Sequence, residues 1–293
     1  MSTRLLITGG SGYLGRHLVK VATAERSGPI AYTTFSSDPL GRPEGVPLDL
    51  RDGSAVHRLV AEFAPDVIIH TAGSNRSPDM TDVIVEGTRH ICAAAIETGA
   101  RLIHLSTDSI FDGTQAPYDE SAWPMPLNEY GRAKVVAEAF VAGRPNMVIV
   151  RTSLIYGLDE IDNGTAWMAE ALRAREPVTL FTNQRRNPVW VEALCRACLE
   201  LAGPLSTPGG AYRGVLNVAG RQVLTRAEFG LRLLDWWGVT ERETLSLAPD
   251  TSGRWPLDCE LDLSLARQLL RTPLLGVDEV LALARHGVAP DLG

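Results

Sequence analysis

The sequence predicts an α/β protein with a doubly wound, mostly parallel sheet and a smaller α/β domain in its C-terminal half. Three observations support this fold class. Short apolar runs alternate with longer segments that carry apolar residues at helical spacing. Glycines follow the first apolar run at once. Small hydroxyl residues follow later runs, and parallel strands would gather them at one edge of the sheet, where ligands bind.

Composition limits the possible domains and partners. The chain has 293 residues, 45% hydrophobic and 22% charged, so one large domain or two coupled domains are expected. We predict a first domain over residues 1–151 and a smaller substrate domain over residues 152–293, interleaved with the first. A net charge of −7 predicts no nucleic-acid partner. No apolar run approaches the ~18 residues of a membrane span. The first residues resemble a strand and a glycine turn rather than a signal peptide, so a cytoplasmic protein is expected.

The first predicted strand, Leu5–Thr8, leads into a glycine-rich turn and then a helix over residues 16–22. The turn fits the spacing G-x-G-x-x-G, and a trio that begins one residue earlier fits the wider G-x-x-G-x-x-G. Glycines let the backbone approach a pyrophosphate, and the helix N-terminus offers free N–H groups. The turn therefore predicts a dinucleotide cofactor, bound by Gly9, Gly10, Ser11, Gly12, Tyr13, Leu14 and Gly15.

The second predicted strand, residues 30–35, should end beside the adenosine ribose of that cofactor. An acidic residue there would bind the ribose hydroxyls of NAD. Here Ser36 and Ser37 follow, with Arg42 close behind. Small hydroxyls and an arginine suit the extra phosphate of NADP, so NADP(H) is favoured over NAD(H). Alternatively, residues 36–45 are simply a loop.

Two further segments are predicted to touch the cofactor. Asp49, with Leu50 beside it, either accepts a hydrogen bond from the adenine amino group or caps the helix over residues 54–63. The strand over residues 66–70 ends in small residues that let a cofactor lie across it. These residues are Thr71, Ala72 and Gly73.

Two more strands complete the predicted sheet of the first half. A helix over residues 80–98 ends at Gly99 and precedes a strand over residues 101–105. A helix over residues 129–142 precedes the fifth strand, residues 146–150. The strand ends carry further candidates, which are Thr107 for catalysis and Thr152 and Ser153 for cofactor binding.

The C-terminal half shows a looser pattern. Two of its cysteines, Cys195 and Cys198, are separated by two residues but lie in a helical pattern without a second ligand pair nearby. Buried thiols are therefore predicted, rather than a metal or redox site. The predicted elements of this half are helices near residues 166–175, 191–201, 226–237 and 278–285, and a strand at residues 214–218 that rejoins the sheet.

A tyrosine and a lysine share one face of the helix over residues 129–142, because Tyr130 and Lys134 are four residues apart. The ammonium and the nicotinamide charge should lower the pKa of Tyr130 from its ordinary value of about 10. Tyr130 can then give a proton to a carbonyl oxygen that Thr107 also holds, and Lys134 can bind the nicotinamide ribose. This spacing also arises by chance on exposed helices. The glycine turn, the strand-end hydroxyl of Thr107 and the Tyr130–Lys134 pair nevertheless follow one another in order, each on its predicted element, and this favours catalysis.

These motifs resemble those of the extended short-chain dehydrogenase/reductases. The likeness narrows to the dTDP-4-dehydrorhamnose reductase branch and covers most of the chain. The segments that carry it are Thr8–Gly15, Leu105–Gly113, Pro126–Lys134, Val150–Gly157, Asn187–Val191 and Gly214–Gly220. The resemblance implies a Rossmann fold and a triad of Thr107, Tyr130 and Lys134. It also implies NAD(P)H bound at residues 9–15, 49–50 and 71–73, and reduction of a keto group on a nucleotide-linked sugar.

Three positions depart from the family pattern. Ile84 stands where the family usually has an asparagine, which bears on a supporting hydrogen bond or water relay. Leu154 stands where the rhamnose enzymes usually have a tryptophan beside the sugar, which bears on the sugar bound. Ser109 follows Asp108 in place of the glutamate base of sugar 4,6-dehydratases, which favours simple reduction.

The expected substrate is a small-molecule ketone, taken to be a nucleotide sugar. Arginines can clamp its diphosphate and a tryptophan can stack on its base or sugar. The substrate candidates are Asn75, Arg76, Thr107, Leu154, Arg185, Arg186 and Trp190. Exposed helices of this fold often pair two subunits, so a homodimer is an option. Two alternatives stay open: a cofactor-binding regulatory subunit like that of methionine adenosyltransferase, and a nucleotide-sugar epimerase.

Overall fold

Strands and helices alternate through the first half of the chain. The computed structural model describes residues 3–26, 28–73, 78–203 and 211–287. The strands of the first half are β1 (Leu5–Thr8), β2 (Ile30–Thr34), β3 (Gly45–Pro47), β4 (Val67–His70), β5 (Arg101–Thr107) and β6 (Met147–Thr152). Its helices are α1 (Tyr13–Glu25), α2 (Gly53–Phe63), α3 (Met80–Thr98) and α4 (Glu129–Val141).

The second half has shorter strands between its helices. The strands are β7 (Ile155–Tyr156), β8 (Val178–Phe181), β9 (Arg185–Arg186), β10 (Val189–Trp190), β11 (Gly214–Asn217), β12 (Leu224–Thr225) and β13 (Leu245–Ala248). The helices are α5 (Asn163–Arg173), α6 (Val191–Ala202), α7 (Arg226–Trp236), α8 (Ser264–Leu269) and α9 (Val277–Arg285). None of the helices in the described ranges is long and apolar enough to cross a bilayer.

The central sheet has seven strands in the order β11-β6-β5-β4-β1-β2-β3. Its described strand pairs are all parallel, which confirms the predicted doubly wound sheet. The predicted return of a late strand is also confirmed, because β11 pairs with β6. The chain order reverses between β1 and β4, and this reversal opens a crevice at the carboxyl edge of the sheet.

Helices cover both faces of the sheet. Residues of β1 alternate between two apolar cores: Leu5 and Ile7 join one, and Leu6 joins the other. The first core includes Leu18 of α1 and Leu194 of α6. Because both faces are buried, the strands are continuous apolar runs, which is why the sequence shows no period of two in them.

Several details differ from the sequence predictions. Helix α1 begins at Tyr13, so Tyr13 belongs to the helix and not to the turn. Asp49 does not cap α2, because the carboxylate of Asp52 accepts the capping hydrogen bond from the Ala55 backbone N–H at 3.0 Å. The prediction of buried thiols in α6 is confirmed, and burial raises the pKa of Cys198 to about 12.

Candidate functional site

A cleft of about 670 Å³ opens at the carboxyl edge of the sheet. It extends from the glycine turn and the end of β2, past the ends of β4, β5 and β6, to α5 and α7. This volume suits a cofactor-sized ligand. Most predicted site residues line it, namely Gly9, Ser11, Gly12, Tyr13, Leu14, Gly15, Asp49, Leu50, Thr71, Ala72, Gly73, Thr107, Tyr130, Lys134, Thr152, Ser153 and Leu154.

The glycine turn is compact because side chains would not fit in it. Gly9 has a φ of +76°, and a Cβ there would lie 2.7 Å from the Ala72 backbone nitrogen. A Cβ on Gly15 would overlap the carbonyl oxygen of Gly9, which accepts a hydrogen bond from the Gly12 N–H at 2.9 Å. Gly12 precedes α1 and provides no side-chain cap, so no capping side chain occupies the first N–H groups of the helix. This cradle fits the pyrophosphate of a dinucleotide.

Gly10 has a different role from its neighbours in the turn, since it does not line the cleft. A Cβ on Gly10 would lie 2.6 Å from Cβ of Tyr32, so this glycine lets the turn pack against β2.

The end of β2 lacks an acidic side chain directed at the cleft. Phe35 follows the strand, is 61% exposed and lines the cleft. Ser36 and Ser37 are exposed next to it but do not line the cleft. The carboxylate of Asp38 accepts hydrogen bonds from the Tyr32 hydroxyl at 3.0 Å and from the Leu40 N–H at 3.1 Å. The loop therefore directs its carboxylate towards its own strand.

Arg42 does not reach the cleft, contrary to the role predicted for it. Its guanidinium donates to the Thr23 hydroxyl of α1 at 3.1 Å, and its backbone N–H donates to the Tyr32 hydroxyl. The β2–β3 loop therefore lies along α1, and Arg42 contacts this helix instead of the cleft.

Asp49 lines the cleft with its carboxylate held by a neighbour. The Arg51 guanidinium donates to it from Nε at 2.9 and 3.0 Å and from Nη2 at 2.7 Å. These hydrogen bonds lower the pKa of Asp49 below its usual range. The carboxylate is therefore ionised at neutral pH, and its oxygens have further lone pairs that can accept hydrogen bonds.

A buried hydrogen-bond chain joins the strands at the point where their order reverses. The Thr88 hydroxyl donates to the Ile84 carbonyl at 2.6 Å, so its oxygen accepts from His70 Nε2 at 3.1 Å. Nδ1 of His70 then accepts from the Thr8 hydroxyl at 2.6 Å. Burial lowers the pKa of His70 to about 3, so the ring is neutral and links the two threonine hydroxyls.

Thr107 and Tyr130 meet at the end of β5. Thr107 is the last residue of that strand, and its hydroxyl oxygen accepts from the Ser109 N–H at 3.2 Å. Asn128 caps α4 by accepting from the Gly131 N–H at 2.9 Å. A Cβ on Gly131 would overlap the Ser109 carbonyl oxygen, so glycine lets the first turn of α4 approach closely. Tyr130 thereby comes close enough to Thr107 for the threonine side chain to lower the pKa of its phenol.

The pKa shifts of Tyr130 and Lys134 differ from the prediction. Burial raises the pKa of Tyr130 to about 12, Asp108 raises it further and Thr107 lowers it. The structure therefore does not show the expected lowering of the Tyr130 pKa. The Lys134 ammonium donates to the Leu105 carbonyl at 3.0 Å. Burial lowers the pKa of Lys134 to about 8, against the carboxylate of Glu138, which raises it. The phenol therefore carries a proton at neutral pH.

Ile84 forms an apolar wall beside these residues. It is fully buried against Ala133 and Ala137 of α4, and Tyr130 packs on the same cluster. A Cβ on Gly73 would lie 2.9 Å from Ile84 and 3.5 Å from Nζ of Lys134, which places all three side by side. The position where the family usually carries an asparagine therefore offers no polar group here.

The end of β6 contributes an unpaired hydroxyl. The buried Thr152 Oγ1 lines the cleft and has no hydrogen-bond partner among the described residues. An unsatisfied buried hydroxyl is costly, so a bound ligand would relieve it. The neighbouring Ser153 hydroxyl instead donates to Asp108 at 2.6 Å.

The far end of the cleft was missed by sequence reasoning. Its walls come from α5, β8 and α7, and they belong to helices whose amphipathic patterns looked structural. A glycine in the middle of α7 was the available signal, because a Cβ on Gly230 would lie 2.8 Å from Leu180. The missed lining residues at this end are Ile155, Asp162, Asn163, Gly164, Thr165, Met168, Leu180, Arg226, Phe229 and Gly230.

Three substrate candidates lie outside the cleft lining, which corrects their predicted placement. Arg185 pairs with Asp258 and Glu260 on the surface. Arg186 is buried, donates to the Pro256 carbonyl at 2.8 Å and lies 3.6 Å from Asp108. Trp190 packs in the core. Of the remaining four candidates, Thr107 and Leu154 line the cleft, whereas Asn75 and Arg76 lie outside the described residues.

Comparisons with known proteins give one family. The sequence profile of the RmlD substrate binding domain matches residues 3–274. Methionine adenosyltransferase 2 subunit beta of Xenopus laevis is 28% identical over 276 residues, which are 88% of this chain and 81% of that protein. The dTDP-4-keto-6-deoxy-D-glucose reductase of Streptomyces niveus is 31% identical over 211 residues, 69% of each.

A solved structure shows the same fold. The dTDP-4-dehydrorhamnose reductase of Bacillus anthracis, in complex with NADP, superposes with a TM-score of 0.76 and 24% identity. The likeness covers 95% of this chain and 96% of that one. Since the family profile matches nearly the whole chain, the predicted resemblance is confirmed: the protein belongs to the RmlD substrate binding domain family, within the extended short-chain dehydrogenase/reductases.

Proposed function

We propose that the protein is an NAD(P)H-dependent ketoreductase that reduces a keto group on a nucleotide-linked sugar. One observation carries the proposal: Thr107, Tyr130 and Lys134 line the wall of the same cleft whose other end is the glycine cradle, with Lys134 one turn of α4 beyond Tyr130. The reductase names of relatives such as the Streptomyces niveus enzyme support the substrate class.

The site residues have separate tasks in this reaction. The bound nicotinamide supplies hydride. Thr107 and Tyr130 hold the ketone oxygen between their hydroxyls, and Tyr130 gives it the phenolic proton. The phenol carries its proton at neutral pH, as a donor must, and a positive charge nearby would lower its pKa towards the range in which proton transfer is easier. The ammonium of Lys134 favours the phenolate left behind.

For the cofactor, a nicotinamide dinucleotide fits the cradle and NADP(H) is the proposed preference. The exposed hydroxyls of Ser36 and Ser37 support this choice, as does Asp38, whose carboxylate is turned towards Tyr32 and not towards a ribose. The cofactor-binding residues remain those that line the cradle and the ends of β2, β4 and β6.

The test of the mechanism is Tyr130→Phe. Removing the phenolic hydroxyl should lower kcat by about 10²–10⁴-fold, because general acid catalysis contributes that much. NADPH affinity should change little, since the ring remains. Turnover is followed by NADPH absorbance with keto-sugar nucleotides and with simpler ketones. Full activity in the variant would show that Tyr130 is not the donor.

A second candidate function is a cofactor-binding regulatory subunit. The similarity to methionine adenosyltransferase 2 subunit beta favours it, and so does Ile84 in place of a polar residue. The intact Thr107–Tyr130–Lys134 arrangement favours the reductase. A stable co-purifying protein and no turnover on the ketone panel would favour the regulatory subunit. A nicotinamide that stays bound through purification and turnover would instead favour an epimerase.

A further inference from the structure

Arg51 forms a charged cluster at the adenosine end of the cleft. Its Nε and Nη2 chelate the Asp49 carboxylate, and its Nη1 donates to Asp79 at 2.5 Å. The guanidinium also lies 5.6 Å from the centre of the Phe35 ring. The side chain is 34% exposed, so the cluster meets solvent.

This cluster lies where a dinucleotide would present its ribose 2′ position. Phe35 is the first residue after β2, and the 2′ position is read at the end of that strand. Phe35, Asp49 and Asp79 all line the cleft, and Arg51 touches each of them from outside the lining. Within the described lining, the cationic side chains are Lys134 of α4 and Arg226 of α7, neither of which belongs to this end.

The arginine that sequence position favoured, Arg42, is held away from the cleft. The guanidinium of Arg42 is bound to Thr23, and Thr23 lies ten residues beyond the first residue of α1. At 1.5 Å per residue that is about 15 Å from the helix N-terminus where the pyrophosphate would bind. Arg51, which touches Phe35 at the end of β2, is the better-placed cation.

We propose that Arg51 selects the cofactor by binding the 2′-phosphate of NADP(H), with Asp49 holding the guanidinium in place and Asp79 giving way to the phosphate. The Asp49 carboxylate accepts hydrogen bonds from two guanidinium nitrogens and so fixes the plane of the group, whereas Asp79 accepts from one. A phosphate carries more negative charge than a carboxylate and suits the same planar donors. This inference rests on the proposed cofactor function.

Asp79 is then a competitor for the phosphate. With two carboxylates on one guanidinium, the cluster repels an incoming anion more than Arg51 alone would. Asp79→Asn should therefore tighten NADPH binding several-fold while leaving NADH affinity within about twofold.

The experiment compares Arg51→Gln with Arg42→Gln as a matched control. Dissociation constants for NADPH and NADH are measured by calorimetry on the full chain, and 2′,5′-ADP is compared with 5′-ADP as a competitor. Arg51→Gln should weaken NADPH and 2′,5′-ADP by about tenfold or more, as expected for a lost charged hydrogen bond, with NADH within about threefold. Arg42→Gln should leave both cofactors unchanged. Arg51→Lys should recover part of the preference, because the charge returns without the planar donors.

The outcomes separate this inference from the proposed function. An equal loss of NADPH and NADH in Arg51→Gln would overturn it, because that result marks a purely structural role. A selective loss of NADPH in Arg42→Gln would overturn it too. If the wild-type chain binds neither cofactor, the proposed function is itself wrong. Circular dichroism identifies a variant that has lost its fold. If Arg51→Gln is such a variant, the NADPH and NADH affinities of the separate variants Arg51→Lys and Asp79→Asn decide instead.

Discussion

Gly9 and Gly99 share a left-handed backbone but not an environment. Gly9, in the turn after β1, has a φ of +76° and no room for a side chain, since a Cβ would lie 2.7 Å from the Ala72 backbone. Gly99, which ends α3, has a φ of +73°, and a Cβ there would meet nothing within 4 Å. A side chain at Gly99 would therefore meet only the backbone strain, whereas a side chain at Gly9 would meet the same strain and a steric clash.

Alanine at these two positions should separate the two effects. Gly99→Ala should lower the free energy of unfolding by about 1 kcal/mol, from the left-handed backbone alone. Gly9→Ala should cost about 1–3 kcal/mol beyond that, from overpacking, and should also abolish NADPH binding. Urea denaturation and calorimetry are the measurements. Equal costs at both sites, with cofactor binding intact, would show that the turn is not the rigid cradle described.

Helix α4 carries three functional groups along one face. Tyr130, Lys134 and Glu138 follow each other at intervals of four residues, so the phenol, the ammonium and a buried carboxylate line up along the helix. Glu138 accepts from the Arg151 guanidinium at 2.9 Å and from the Ser106 hydroxyl at 2.5 Å. This network keeps a negative charge next to Lys134 inside the protein.

The pH dependence of reduction should follow Lys134. Its pKa of about 8 means that the ammonium is present below that pH and is lost as pH rises through it. We expect kcat/KM to fall above about pH 8, and Glu138→Gln to move this fall to lower pH, because Glu138 raises the pKa of Lys134. The exposed Glu129→Gln on the same helix should leave the profile in place. Circular dichroism checks that the variants are folded, and a Glu138→Gln profile identical to wild type would exclude this coupling.

At the scale of the whole molecule, the two halves share one sheet. Strand β11 pairs with β6, and the Asn217 side chain at its end donates to the Tyr118 and Asp262 carbonyls at 3.0 and 3.1 Å. Helix α6 packs its apolar face, including Cys195, into the core that also holds β1 and α1. The central sheet therefore contains strands from both sides of the proposed boundary after residue 151, so this boundary does not separate two independent folding units.

A fragment of residues 1–151 should therefore not fold independently. Without β11, strand β6 becomes an open edge, and without α6 one apolar face of the sheet meets water. We expect aggregation, or loss of dispersed amide signals in NMR spectra, whereas the full chain unfolds cooperatively. A soluble fragment with a cooperative transition and NADPH affinity would contradict this expectation.

The parts predicted from sequence are those set by local spacing. The alternation of apolar runs and helical segments indicated the sheet, and strand ends followed by small residues indicated the cleft. Tyr130 and Lys134 were found because four residues make about one helical turn. Arg51 was missed because its placement depends on side-chain contacts with Phe35 and Asp79, which no spacing encodes. The walls from α5 and α7 were missed because they approach the cleft only through the fold of the second half.

The return of β11 to the sheet also constrains how this protein could be recombined with its relatives. A chimera joined after residue 151 would import a foreign edge strand and a foreign α6 against the native β6 and α1. Exchanging only the segments that hold α5 and α7, and keeping the recipient's own α6 and β11, would transplant the far walls of the cleft without disturbing the sheet. The useful crossover points therefore lie inside the second half of the chain, on either side of α6 and β11.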